Sequence, residues 1–229
     1  MSEPLVLLPG MMCDARLWAP QVAALEGPAQ VLPIDGHDTI PALARAVLEA
    51  APERFALAGL SMGGIVAMEM VAQAPERIAR LALLDTFCGA EHPKMAARRE
   101  RQIERVRAGA LEAVMREELM PLYVAPGPGA EAVLETCREM ALALGGAVFE
   151  RQARALQRRE DRREVLRGVR CPALVLCGEA DAMCPPDRHR EMTALIPGAV
   201  LELVEGAGHL PTLERPKAVT EAMRRWLAA

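Results

Sequence analysis

Apolar residues run along this chain in two alternating rhythms. Short, largely apolar stretches cover residues 5–8, 30–34, 55–60, 80–85, 173–177 and 200–204. Stretches this short and this continuous mark strands buried on both faces, as in a parallel sheet. Between them, residues 18–25, 41–50, 62–74, 187–195 and 217–227 read as helices. The alternation predicts an α/β fold, a doubly wound, mostly parallel six-stranded sheet with helices on both faces.

From residue 87 to about 165 the alternation stops. Ile103, Val106, Ala110, Val114 and Met115 recur at helical spacing and predict one helix through all five. Further helices are expected over 130–144 and from 147 to about 163. Pro121, Pro126, Gly127, Pro128 and the Gly145-Gly146 pair punctuate them. The chain therefore divides into a core of residues 1–87 and 166–229 and an inserted helical cap, residues 88–165, roofing a pocket. The alternative is that the apolar stripe of this segment docks onto another subunit.

Candidate chemistry sits where strands end. Gly59-Leu60-Ser61-Met62-Gly63, followed by Gly64, joins the apolar run 55–60 to the helix that follows. A serine on so sharp a turn adopts a strained backbone, and its close packing leaves no room for Cβ atoms two residues to either side. The hydroxyl is thereby pushed out at the top of the sheet, beside a helix N-terminus. The competing reading of Ser61 is an ordinary helix N-cap. Asp181, in Gly178-Glu179-Ala180-Asp181, and His209, in Gly206-Ala207-Gly208-His209, each follow another strand. In open α/β sheets, sites form at this edge. Asp85 rivals Asp181 as the acid, and His37, in Asp35-Gly36-His37-Asp38, rivals His209 as the base. His92 and His189 have no motif around them and read as solvated.

With this elbow and the chain order Ser, Asp, His, the sequence resembles the α/β-hydrolase superfamily. The resemblance is to small capped members such as pimeloyl-carrier-protein methyl ester esterases and carbon–carbon bond hydrolases. It implies Ser61 as nucleophile, His209 as base and Asp181 as the acid orienting it. It also implies an oxyanion hole from the backbone N–H groups of Met11 and Met62. Pro9 stands where relatives usually carry a histidine that braces this loop, which keeps Met12 as an alternative donor. Met12 and Met183 are the expected pocket residues. The implied reaction is cleavage of a small-to-medium ester or thioester through an acyl-serine, with no cofactor and no metal. Carbon–carbon bond hydrolysis or a lyase reaction on the same three residues is the alternative. A ligand-binding or signalling protein that keeps the fold is the reading from another class. An aspartate nucleophile with a neighbouring tryptophan, the mark of haloalkane dehalogenases and epoxide hydrolases, is absent from the elbow.

Composition narrows the partners. The 229 residues carry a net charge of −4 and a pI near 5.7, against nucleic acid as a ligand. Arginine runs such as Arg98-Arg99-Glu100-Arg101 are interleaved with glutamate and predict a solvated helix face. The six cysteines lack C-x-x-C pairing, and Met1-Ser2-Glu3-Pro4 does not open a leader. No apolar run reaches the roughly 20 residues of a membrane span. A cytoplasmic enzyme for a small molecule, monomeric or homodimeric, is expected. Aromatic residues are only 3% of the chain, so a pocket lined by methionine is expected in their place.

Overall fold

A computed structural model describes residues 3–229; Met1 and Ser2, the start of the N-terminal run read above, lie outside the described residues. Six strands form one parallel sheet: β1 (Leu5–Leu8), β2 (Ala29–Val31), β3 (Phe55–Leu60), β4 (Ile78–Leu84), β5 (Ala173–Gly178) and β6 (Val200–Val204). Their spatial order is β2-β1-β3-β4-β5-β6, every pair parallel. Successive side chains of a strand point to opposite faces, and the apolar core divides accordingly. Leu5 and Leu7 join a cluster with Ala58, Leu60 and Leu176, whereas Val6 and Leu8 join one with Leu57, Leu83 and Val175.

Helices cover both clusters. On the first side lie α1 (Ala19–Ala24) and α11 (Pro216–Ala228), and on the second α2 (Ile40–Ala50), α3 (Met62–Gln73) and α9 (Pro186–Leu195). Between β4 and β5 come α4 (Pro93–Arg107), α5 (Leu111–Val114), a π turn (Met115–Leu119), a 3-10 turn (Met120–Leu122), α6 (Ala130–Leu144), α7 (Gly146–Gln157) and α8 (Arg163–Arg167). A short α10 (Pro211–Glu214) follows β6. Ile103, Met140 and Phe149 of the insertion share one apolar cluster with Leu7 and Leu60 of the sheet. Among the described residues no helix is long and apolar enough to cross a membrane.

Three boundaries differ from expectation by more than two residues, each for a local reason. β2 ends at Val31 rather than at residue 34, because Pro33 has no N–H to continue the ladder. The single helix expected through Ile103 and Met115 breaks after Arg107, where Gly109 takes a left-handed φ of 89°. The last helix of the insertion stops at Gln157, and Asp161 Oδ1 accepts the Arg163 N–H at 2.9 Å to begin α8 afresh.

Candidate active site

Ser61 is the hinge between β3 and α3. Its φ of 55° and ψ of −115° put a side chain in a region that favours glycine. Packing enforces this. A Cβ on Gly59 would overlap the Gly63 carbonyl, and one on Gly63 would overlap the carbonyls of Leu8 and Pro9. The chain crossing therefore locks the turn and seats the end of β1 directly against the first turn of α3. Ser61 N–H donates to Leu84 O at 2.9 Å, and its carbonyl accepts from Thr86 Oγ1 at 2.7 Å.

Two loops from other strands meet the Ser61 hydroxyl. His209 Nε2 lies 2.9 Å from Ser61 Oγ, and His209 Nδ1 lies 2.9 Å from Asp181 Oδ2. The other carboxylate oxygen of Asp181 accepts the N–H groups of Met183 and Cys184 at 2.8 and 2.9 Å. Burial pushes the Asp181 carboxyl up, but the His209 imidazole and these two N–H groups outweigh it and hold the group below its ordinary value. His209 and Asp181 are 2% and 3% exposed, so their contact is shielded from water.

What holds His209 was not legible beforehand. Its N–H donates to Tyr123 O at 2.9 Å, and the Tyr123 ring stacks beside the imidazole. Glu214 accepts the N–H groups of Gly208, Leu210 and Ala125, tying the histidine loop to the insertion. Gly208 is needed because a Cβ there would press on the Val124–Ala125 backbone.

The loop after β1 passes beside Ser61. A Cβ on Gly10 would lie 3.5 Å from the Ser61 Cβ, an ordinary contact. Among the described residues, no protein acceptor pairs with the Met11 or Met62 N–H. Met12 departs from expectation on both counts. Its N–H is taken by Gln152 Oε1 at 2.8 Å, and its side chain, 1% exposed with φ 57°, packs in the core rather than lining the cleft. Gln152 also donates to Ile34 O, and Trp18 Nε1 donates to Leu8 O at 3.1 Å. These two side chains supply the bracing that Pro9 lacks. Met11 and Met183 do line the cleft.

The profile of the alpha/beta hydrolase family matches residues 5–222 of the chain. The protein belongs to the alpha/beta hydrolase family. This hydrolase is 30% identical over 247 residues to a pimeloyl-[acyl-carrier protein] methyl ester esterase of Xanthomonas oryzae, covering 98% of this chain and 95% of the relative. It is 25% identical over 251 residues to a putative carbamate hydrolase of Rhizobium rhizogenes, covering 100% and 94%. Among solved structures it resembles a thermophilic esterase from Thermogutta terrifontis, with a TM-score of 0.91, 30% identity and coverage of 100% and 90%. It also resembles an enol-lactonase from Burkholderia xenovorans, with a TM-score of 0.88, 26% identity and coverage of 100% and 93%.

The remaining polar groups of the hydrolase sort themselves by burial. Asp85, with φ 45°, faces inward and accepts the Gly178 N–H at 2.9 Å, not a histidine. Burial first, and the Asp181 carboxylate second, push the Asp85 carboxyl well above its ordinary value. His189 is fully buried rather than solvated. Its Nε2 accepts the Thr86 N–H at 3.1 Å, and burial lowers its pKa to about 4. His37 lines a different recess from Ser61, among Asp38, Arg151 and Arg158. Asp181, Cys184 and His209 could offer a metal three atoms within 4.8 Å of one another, as could Asp85, Cys177 and Asp181. Burial keeps both thiols protonated, and each Asp181 oxygen already meets its own partner, so the set is poorly suited to a cation. Arg98 and Arg99, expected on a solvated helix face, instead turn into the cleft beside Ser61.

Proposed function

We propose that this hydrolase cleaves a small-to-medium carboxylic ester or thioester through an acyl-Ser61 intermediate. The observation that carries the reading is the unbroken chain Ser61 Oγ, His209 Nε2, His209 Nδ1, Asp181 Oδ2, with both gaps at 2.9 Å. Asp181 accepts from Nδ1–H and so leaves the lone pair of Nε2 facing the serine hydroxyl. As Oγ attacks the ester carbonyl, its proton passes to Nε2, and the imidazolium is stabilised by Asp181. The carbonyl oxygen becomes an oxyanion and accepts from Met11 and Met62 N–H, the second of these at the N-terminus of α3. The tetrahedral intermediate collapses, the carbon–oxygen or carbon–sulfur bond breaks, and His209 gives its proton to the departing alcohol or thiol. Water then repeats the sequence, its proton going to Nε2 and returning to Ser61 Oγ as the acid leaves.

Three of the four relatives support an ester-type bond, being named as two esterases and an enol-lactonase, while the fourth is named as a putative carbamate hydrolase. The cap reading of residues 88–165 is supported by Met95, Leu119, Leu122 and Tyr123, which wall the cleft with Ser61. A fluorophosphonate should label the wild type at Ser61 and leave Ser61→Ala unlabelled, while p-nitrophenyl esters of rising length report turnover. Equal labelling of Ser61→Ala at another residue would remove the nucleophile assignment.

A further inference from the structure

The cleft at Ser61 has two unlike ends. One lobe, about 70 Å³, is walled by Cys13, Leu60, Leu119 and Tyr123 and is mostly apolar. The other, about 330 Å³, is walled by Phe87, Glu91, Arg159 and Arg188. Ser61, His209, Arg98 and Arg99 line both, so the reacting serine stands at the waist between them.

Charge in the wider lobe does not balance. Arg98 is satisfied by Glu118. Arg99 and Arg159 converge on one carboxylate, Glu91, at 2.8 and 3.2 Å, and the Glu91 side chain is 4% exposed. Among the described residues Arg188 meets no carboxylate. Its guanidinium lies 4.3 Å from the centre of the Phe87 ring, which orients the group without neutralising it. Nε of Arg159 is buried with no acceptor. Three guanidiniums (Arg99, Arg159, Arg188) against one carboxylate leave two positive charges unmatched beside the nucleophile.

A buried donor without a partner is costly, and a guanidinium fork matches the geometry of a carboxylate or phosphate. We propose that the substrate carries an anionic group, a carboxylate or a phosphate, on one side of the scissile ester, and that Arg159 and Arg188 receive it. The substituent on the other side of the bond then enters the apolar lobe. Glu91 is a positioning residue that holds Arg99 and Arg159 toward the lobe. This substrate class rests on Ser61 being the nucleophile.

Two measurements test it. The first is kcat/KM for the monomethyl esters of succinic, glutaric and adipic acids against the dimethyl esters of the same acids. A half-ester should be preferred by at least about tenfold, the yield of one charge-assisted hydrogen bond. The ratio should fall toward one in Arg188→Gln and in Arg159→Gln, through KM. Since both esters meet the same enzyme sample, incomplete folding of a variant does not alter this ratio. The second is calorimetric binding of succinate and of inorganic phosphate to the wild type and to Arg188→Gln, which does not depend on turnover. Tighter binding of succinate assigns a carboxylate, and tighter binding of phosphate assigns a phosphate ester. In either case binding should weaken at least about tenfold in Arg188→Gln. A wild type that neither prefers a half-ester nor binds either anion overturns the proposal. So does a preference or affinity that survives substitution of both arginines. Failure of Ser61 labelling would strike the nucleophile assignment alone, and anion binding would still decide the arginines.

Discussion

Ser61 and His209 are held by opposite strategies. Ser61 is fixed mainly by close backbone packing, since Gly59 and Gly63 let backbone pass against backbone and Gly64 leaves room for the Thr86 side chain, whose Oγ1 donates to the Ser61 carbonyl. His209 is fixed by distant groups: the Tyr123 carbonyl, the Glu214 carboxylate and Asp181. A site built this way can lose either half independently. The serine half fails only when the fold does, whereas the histidine half can loosen while the sheet stays intact.

The largest expected effect separates the two aspartates. Asp181→Asn should lower kcat about 10⁴-fold by favouring the wrong imidazole tautomer. Asp85→Asn should cost less than about tenfold, because an amide oxygen can still accept from Gly178 and burial already disfavours the charged carboxylate there. The reverse ranking in steady-state kinetics would assign the acid to β4. The serine half can be attacked through acid. The depressed His189 pKa, about 4 against an ordinary 6.5, means that the unfolded chain takes up this proton first as pH falls. Stability should therefore drop from about pH 6.5 to about pH 4, by on the order of 3 kcal/mol at the full shift. Urea titrations across that window should show a shallower slope in His189→Gln.

A third experiment loosens the histidine half. Glu214→Gln keeps the shape but replaces charge-assisted contacts to the Gly208, Leu210 and Ala125 N–H groups. It should lower kcat about tenfold to a hundredfold, with Tm moved by a few degrees. The same loss appearing wholly as unfolding would make Glu214 merely structural. The smallest effect is on stability alone. Ser61→Gly should stabilise the fold by about 1 kcal/mol by relieving the strained φ, measurable by chemical denaturation.

This contrast also explains what could be read from the residues. The elbow, the six strands and the loops of Asp181 and His209 are local patterns, a glycine spacing or an apolar run, and the structure has them where those patterns put them, apart from the early end of β2 before Pro33. His189 reads as solvated from the residues alone, and its burial is missed because it depends on Thr86, a residue of another strand end. Gln152 and Glu214 carry no motif, and only the packing of residues far apart in the chain reveals what they hold. Arg98 and Arg99 looked like surface residues because interleaved glutamates suggest solvent. Their partners, Glu118 and Glu91, instead pin them along the cleft wall. Met12 was misplaced because a loop sequence does not disclose which N–H groups are already engaged.

The apolar cluster that runs without a break from Leu7 and Leu60 to Ile103, Met140 and Phe149 makes the inserted segment inseparable from the sheet. A segment that shares this interior with the sheet, and adds Cys88, Ala155 and Leu156 to the cluster on the other face, cannot swing away as a hinged door. Product must leave through the rim, past the methionines and arginines, and grafting this segment onto another enzyme would import an unfilled hole along with it. The protein should accordingly melt as one cooperative block, with its selectivity written into the rim and not into any opening motion.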